Sequence, residues 1–217
     1  MTKLSKLLTL AIALCFLIAP SSSFAFNAAE NDTKITSLSY SEIENNLRKE
    51  GTSEKDIENL IKKLKRGESW DSMNPKYNYV KPQIQTDTYS KTIYPDGSMI
   101  IYSIEKIEPE IATRSIRKIN AYKVQLNGFA ITMSFTIDAR RDTKKNRAII
   151  DAQYSKEIRV LGGTWTEDAY GYKKGWLPET NAWYAIYYKA PGTMGSKRLW
   201  CRAHVNGSKI WRESSSL

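Results

Sequence analysis

The 217-residue sequence has one histidine, His204, and two cysteines, Cys15 and Cys201. That scarcity excludes much chemistry: one histidine and one remaining cysteine make no zinc site of the usual four-ligand kind, and no Gly-rich phosphate loop stands at a strand-to-helix junction. No metal or cofactor is implied. Long apolar runs are missing too, since none reaches the roughly 20 residues that cross a bilayer. The longest, Leu7 to Ala19, follows Lys3 and Lys6 and precedes Pro20 and the small residues Ser23 and Ala25. That order predicts a secretory signal peptide over residues 1–25, cut after Ala25, and hence a secreted, extracellular protein. Taking 25 residues from 217 leaves 192, and Cys15 goes with them. Cys201 then stands alone, so no intramolecular disulfide forms and the fold must rest on its core. Loss of Lys3 and Lys6 lowers the formal charge from +10 to +8. A basic exported protein is drawn to an anionic wall polymer, a glycan or a membrane surface; nucleic acid is not an expected partner there.

Residues 26–37 are polar and unpatterned, a flexible leader. Helical signals follow over residues 38–67. Ser41 with Glu44 and Ser53 with Asp56 set a hydroxyl three residues before an acid, the spacing of a capping box, and Gly51 separates the two segments. In the second, Ile57, Leu60, Ile61 and Leu64 make one apolar stripe, with Lys62, Lys63, Lys65 and Arg66 late and Gly67 at the end. The pair predicts a helical hairpin whose stripe docks on the β domain or, alternatively, in a partner groove or dimer contact. Residues 68–86 read as a linker. The stretch Leu64-Lys65-Arg66-Gly67-Glu68-Ser69-Trp70-Asp71-Ser72-Met73-Asn74-Pro75, and later Tyr94-Pro95-Asp96-Gly97-Ser98, resemble segments of exported proteins of Gram-positive bacteria that lack an assigned activity. The resemblance covers about a quarter of the chain, carries no catalytic residues, and implies a host class and an extracellular setting.

Residues 87–217 change to strand character. Phe129 to Asp138 alternates without a break, with Phe129, Ile131, Met133, Phe135 and Ile137 on one face and Ala130, Thr132, Ser134, Thr136 and Asp138 on the other, predicted to lie near water. Asn127-Gly128 before it signals a two-residue hairpin turn, which would pair Leu126 with Phe129, Val124 with Ile131 and Tyr122 with Met133. Pro95-Asp96-Gly97 predicts a three-residue loop, and Asn206-Gly207 a last hairpin with Val205 opposite Ser208. Ala148, Ile150, Ala152, Tyr154, Ile158 and Val160 predict one face of a long strand. Leu161 to Thr180 loses periodicity and reads as a long loop that could hold a short hairpin, before strands at Asn181 to Ala190 and Lys197 to Val205. Seven or eight strands and three hairpin turns predict a mainly β fold, an antiparallel immunoglobulin-like β-sandwich behind a short helical hairpin, with a β-barrel as the alternative.

Catalytic sets are not found. Cys201 and His204 lie three apart on a predicted strand, so their side chains point to opposite faces and cannot form a dyad. Cys201 then reads as a small buried hydrophobe or, alternatively, a reactive or intermolecularly paired thiol. Asp151 and Glu157 read as solvated strand positions, and a hydrolase would need two acids converging in a cleft. Two features stand out instead. One is the basic loop between Ala139 and Arg147, with Arg140, Arg141, Lys144, Lys145 and Arg147 against Asp142. It is either a solvated loop or a dock for an anionic polymer or lipid head group. The other is the aromatic set Trp165, Tyr170, Tyr172, Trp176, Trp200 and Trp211, of which Trp200 and Trp211 fall opposite the core face beside Arg202 and Lys209. These residues predict a secreted, non-enzymatic protein that engages an anionic or glycan surface; the alternative is a secreted antibacterial or membrane-active toxin.

Overall fold

Two sheets and a helical hairpin account for the hydrophobic pattern. A computed structural model describes residues 33–107, 120–189 and 196–214; the expected signal peptide and residues 26–32 of the leader lie outside the described residues. In chain order the elements are β1 (Lys34–Ser37), α1 (Tyr40–Lys49), α2 (Glu54–Lys65), two 3-10 turns (Asp71–Met73 and Pro75–Tyr77), β2 (Ile84–Gln85), β3 (Tyr89–Ile93), β4 (Met99–Ile107), β5 (Asn120–Asn127), β6 (Ile131–Asp142), β7 (Arg147–Val160), β8 (Thr164–Tyr172), β9 (Glu179–Lys189), β10 (Ser196–Asn206) and β11 (Ile210–Ser214). Seven strands form one sheet in the order β1-β7-β6-β5-β4-β3-β2, and four form the other as β11-β10-β9-β8. Neither closes on itself. The protein is a mainly β sandwich preceded by the hairpin, each sheet an antiparallel meander with β1 added parallel to β7.

The seven-stranded sheet is buried on both faces. Its inner face carries Ile104, Val124, Leu126, Met133, Phe135, Ile137 and Ile158, and meets Tyr184, Ile186, Leu199, Cys201 and Val205 of the smaller sheet in one apolar cluster. Its outer face offers Met99, Ile101, Phe129 and Ala130 to the stripe Ile57, Leu60, Ile61 and Leu64 of α2 and to Ile43 and Leu47 of α1. The helices therefore dock on the β domain. They also cover part of the outward face of β6, so Ser134, expected near water, is only 3% exposed; Thr136, between Lys123 and Tyr154 of the neighbouring strands, is 4% exposed.

Several local readings need correction. Lys34–Ser37, placed in the leader, is a strand, because Leu38 donates to the Val160 carbonyl at 2.8 Å and draws the segment alongside β7. The first helix is capped two residues early, by Ser39 and Glu42 in a reciprocal box, while Ser53 caps α2 as expected. Asn127-Gly128 does not close a two-residue turn. The Asn127 carboxamide oxygen accepts from the Phe129 amide at 2.8 Å and the Thr132 hydroxyl at 2.9 Å, and Phe129 turns with φ +65° into the helix-facing core. The observed pairs are Leu126 with Met133 and Val124 with Phe135. The register moves by an even number, so the faces of β5 and β6 survive although the partners change. In β7, register shifts opposite Ser134/Thr136 and Asp138/Ala139 break the expected alternation. Tyr154 consequently turns outward and bonds to Asp138, while Lys156 keeps the inward side of Ile158, where Glu167 pairs with it at 3.3 Å and the Tyr170 ring lies 3.4 Å from its ammonium. Leu161 to Thr180 is not a loop: Thr164–Tyr172 forms β8, paired along β9, with Trp165, Tyr170 and Tyr172 packed on the core.

Residues 68–86 hold the hairpin rather than merely linking it. Trp70 is fully buried, and its indole donates to the Leu60 carbonyl at 2.9 Å. Asp96, on the expected three-residue loop, accepts from the Lys63 ammonium at 2.7 Å, the Asp71 amide at 3.0 Å and the Ser98 amide at 3.0 Å. Burial opposes ionisation of Asp96, yet the donors of Lys63, Ser98 and Asp71 outweigh it and hold its carboxyl below the usual aspartate range.

Two outcomes follow for stability. The folded pKa of Asp96 lies below its unfolded value of about 3.9, so its contribution is complete above that value and disappears as pH falls through the lower folded value. Asp96→Asn should cost about 2 kcal/mol in urea unfolding at pH 7, and the gap from the unsubstituted protein should close under acid; a gap constant with pH would contradict this account. At Phe129 both truncations lose the buried ring, but alanine also keeps the strain of positive φ. Phe129→Ala should therefore be less stable than Phe129→Gly by about 1 kcal/mol, the reverse of the order usual away from such positions.

Candidate functional site

The smaller sheet presents its outward face to solvent. Ala182, Tyr184 and Ile186 of β9 point to the core, so Trp183, Ala185 and Tyr187 point out; likewise Leu199, Cys201 and Ala203 of β10 point in, and Trp200, Arg202 and His204 out. Cross-strand pairs set the rows of this face. Trp200 lies opposite Ala185, and Ala185 opposite Ala169. Arg202 lies between Trp183 and Glu213, and His204 between Asn181 and Trp211. Small residues leave room for the Trp183 ring. A Cβ at Gly171 would meet the Trp183 ring at 3.1 Å, and outward-facing Ala185 is only 1% exposed. His204 and Trp211 stack at 5.1 Å with planes 13° apart. The result is a shelf of aromatic rings set among small residues.

Charges on this shelf are largely paired. Arg202 bonds to Glu213 at 2.9 Å, Arg198 to Asp168 at 2.6 Å and Lys209 to Asp87 at 3.4 Å. His204 sits between Glu179 at 2.8 Å and Glu213 at 3.0 Å. The His204 hydrogen bond, against a smaller opposing effect of burial and with help from Arg202, holds Glu213 below the usual glutamate range. Arg202 also lies 5.4 Å from the Trp200 ring and Lys209 5.2 Å from Trp211, so these cations brace the rings they neighbour.

The last hairpin reaches this geometry by a turn one step longer than expected. Asn206 accepts from the amides of Ser208 and Lys209, which makes Gly207 and Ser208 the turn and pairs Val205 with Ile210. Trp211 thereby faces His204, and Glu213 faces Arg202; the expected partners were Arg202 for Trp211 and Trp200 for Glu213. The shift is again even, so Cys201, Ala203, Val205 and Ile210 keep the core face. Burial pushes the Cys201 thiol well up, and the sheet separates it from His204, which rules out a dyad between them.

The basic residues between Ala139 and Arg147 do not form an open loop. β6 and β7 run to Asp142 and from Arg147, leaving a four-residue turn. Arg140 makes two bonds to Asp151 and lies 5.5 Å from the Trp176 ring; Arg147 pairs with Asp142 at 3.4 Å and lies 5.0 Å from the same ring. Arg141 donates to the Ser208 carbonyl at 3.0 Å. Lys144 and Lys145 are exposed on the turn. The structure also joins the two features at one corner, because a Cβ at Gly207 would lie 2.6 Å from the Asn146 backbone. Three of the five cations are thus committed within the protein. Trp165, Tyr170 and Tyr172 are committed as well, to the core. Trp183 and Tyr187, absent from the expected set, belong to the outward face; period-2 alternation in Asn181 to Ala190 carried that signal.

Asp138 is raised by burial, with Tyr154 donating to it at 3.0 Å and the neighbouring charge of Asp151 adding to the rise, while Arg140 holds Asp151 in a bidentate pair. Among the described residues, no group of three histidine, cysteine or acidic side chains could hold a metal ion, and no helix is long and apolar enough to cross a membrane.

No family model matches the chain, and no curated protein matches it. A crystal structure of a hypothetical protein from Listeria monocytogenes is similar over 59% of this chain and 93% of its own, with 12% identity and a TM-score of 0.33, a likeness too loose to bear on function.

Proposed function

We propose that this is a secreted, non-enzymatic binding protein of the Gram-positive cell exterior that holds a glycan on the outward face of its four-stranded sheet. The observation that carries this reading is the gathering of Trp183, Tyr187, Trp200 and Trp211 on one outward face, with the small residues Gly171 beside Trp183 and Ala185 opposite Trp200, and with its charges paired. The apolar C–H face of a sugar ring settles on the negative face of an aromatic ring, and small residues between rings leave room for it. Pairing of Arg198, Arg202 and Lys209 with acids favours a neutral polysaccharide over a polyanion. The formal charge of +8 then serves attraction to the wall at long range rather than recognition.

Co-sedimentation with wall glycan stripped of anionic polymers tests the proposal. Binding should change less than about twofold between about 0.05 M and about 0.5 M salt. Trp200→Ala with Trp211→Ala should weaken it at least about tenfold, with thermal unfolding as the folding control. Binding lost at high salt, or lost with Arg140→Ala and Arg141→Ala instead, would overturn the glycan shelf. Dye release from phosphatidylglycerol liposomes would favour the membrane-active toxin.

A further inference from the structure

The opposite side of the molecule carries a second polar concavity. It lies where α1 roofs the outward face of β5, β6 and β7, and its volume is about 230 Å³. At about 30 Å³ of liquid per water, that is space for about seven waters or one small solute.

Register builds its floor. Gln125 lies opposite Ser134, and Ser134 opposite Glu157; one row along, Asn127 lies opposite Thr132, and Thr132 opposite Arg159. Cross-strand neighbours stand about 5 Å apart, so these six side chains form a grid two rows deep and three strands wide. Phe129 walls one end and Lys123 lies beyond the other row, while Asn46, Lys49 and Glu50 hang from α1. Ser134 is 3% exposed, an interior hydroxyl in this floor.

Some of these groups are already engaged. Arg159 is held by Glu42 at 2.7 Å and Glu50 by Lys91 at 2.9 Å. The Asn127 oxygen is taken by Phe129 and Thr132, which leaves its amide nitrogen as the donor for a ligand. The other lining charges are divided across the cleft, Lys123 on the β5 side with Lys49 above and Glu157 on the β7 side, while Glu105 lies opposite Lys123 on β4 and Lys34 opposite Glu157 on β1, both outside the lining. Two strand spacings separate β5 from β7, about 9 to 10 Å. Lys123 also stands one row beyond the row of Gln125, Ser134 and Glu157, so the two charges are set on the diagonal of the floor, a span that suits the separated termini of a dipeptide.

We infer that this cleft binds a small zwitterion of dipeptide length, its carboxylate toward Lys49 and Lys123, its ammonium toward Glu157, and its amide over Gln125, Ser134 and Asn127. This site is separate from the glycan shelf and stands or falls independently of it.

Titration of the full-length secreted chain with L-alanyl-L-alanine, read by amide chemical shifts, tests it. Shifts should concentrate on residues 123–134 and 157–159. N-acetylation of the dipeptide, amidation of its carboxylate, Glu157→Gln and Lys123→Met should each weaken binding by about tenfold, the loss of one charge-assisted contact. N-acetylated ligand should bind Glu157→Gln and the unsubstituted protein alike. Unchanged shifts elsewhere in the two variants show that they are folded. No saturable shifts in the cleft, or equal binding of free and capped dipeptides, would overturn the inference.

Discussion

Burial of the seven-stranded sheet on both faces is the constraint from which the rest of the architecture follows. A half-buried sheet needs apolar side chains at alternate positions only, but β4 is apolar at successive positions, with Met99 and Ile101 facing one way and Ile100, Tyr102 and Ile104 the other. Without α1 and α2 the outward set would lie in water. The hairpin is therefore a third layer of the domain, and Trp70 and the Asp96 loop pin it there. Asp96 does so with a partly buried charge satisfied by donors from α2, the following 3-10 turn and its own loop, an arrangement in which removing any partner leaves a charge uncompensated.

The two outer faces of the sandwich differ because of this layering. One is roofed by helices, which convert a row of polar strand residues into the walls and floor of a cleft. The other has no aromatic residue in either core cluster; its Trp183 lies against Gly171 and its Trp211 against His204. Ion pairing shapes both. On the smaller sheet it neutralises the shelf; on the hairpin of β6 and β7 it absorbs Arg140 and Arg147, leaving Lys144 and Lys145 as the cations most open to solvent there. High net charge alone thus says little about where a ligand sits.

Much of this was readable from periodicity. The alternation of β6, the stripe of α2, the Pro95-Asp96-Gly97 loop and the core face of Cys201, Ala203 and Val205 all stand as expected, and so does the sandwich. What periodicity could not carry was set by side-chain hydrogen bonds and by packing at a distance. Asn127 and Asn206 each lengthen a turn by accepting backbone amides, which moves the register by an even step and preserves the faces while changing every pair. Two bulges in β7 turn over the stretch between them, sending Tyr154 outward and Gln153 inward, and nothing in the residue pattern marks them. The aromatic shelf was half visible: Trp200 and Trp211 fell on the right face, whereas Trp183 and Tyr187 needed β9 to be read at the same period. The cleft was hidden, because Thr132 and Ser134 look solvated until α1 is placed above them.

The recognition surface we propose is the aromatic outer face of the four-stranded sheet. Hydroxyl-radical footprinting of the full chain, free and saturated with wall glycan, addresses it ring by ring. Protection of Trp183, Tyr187, Trp200 and Trp211, with Trp176 unchanged between its two arginines, is the predicted result. Protection at Trp176 with the four outward rings unchanged would contradict it.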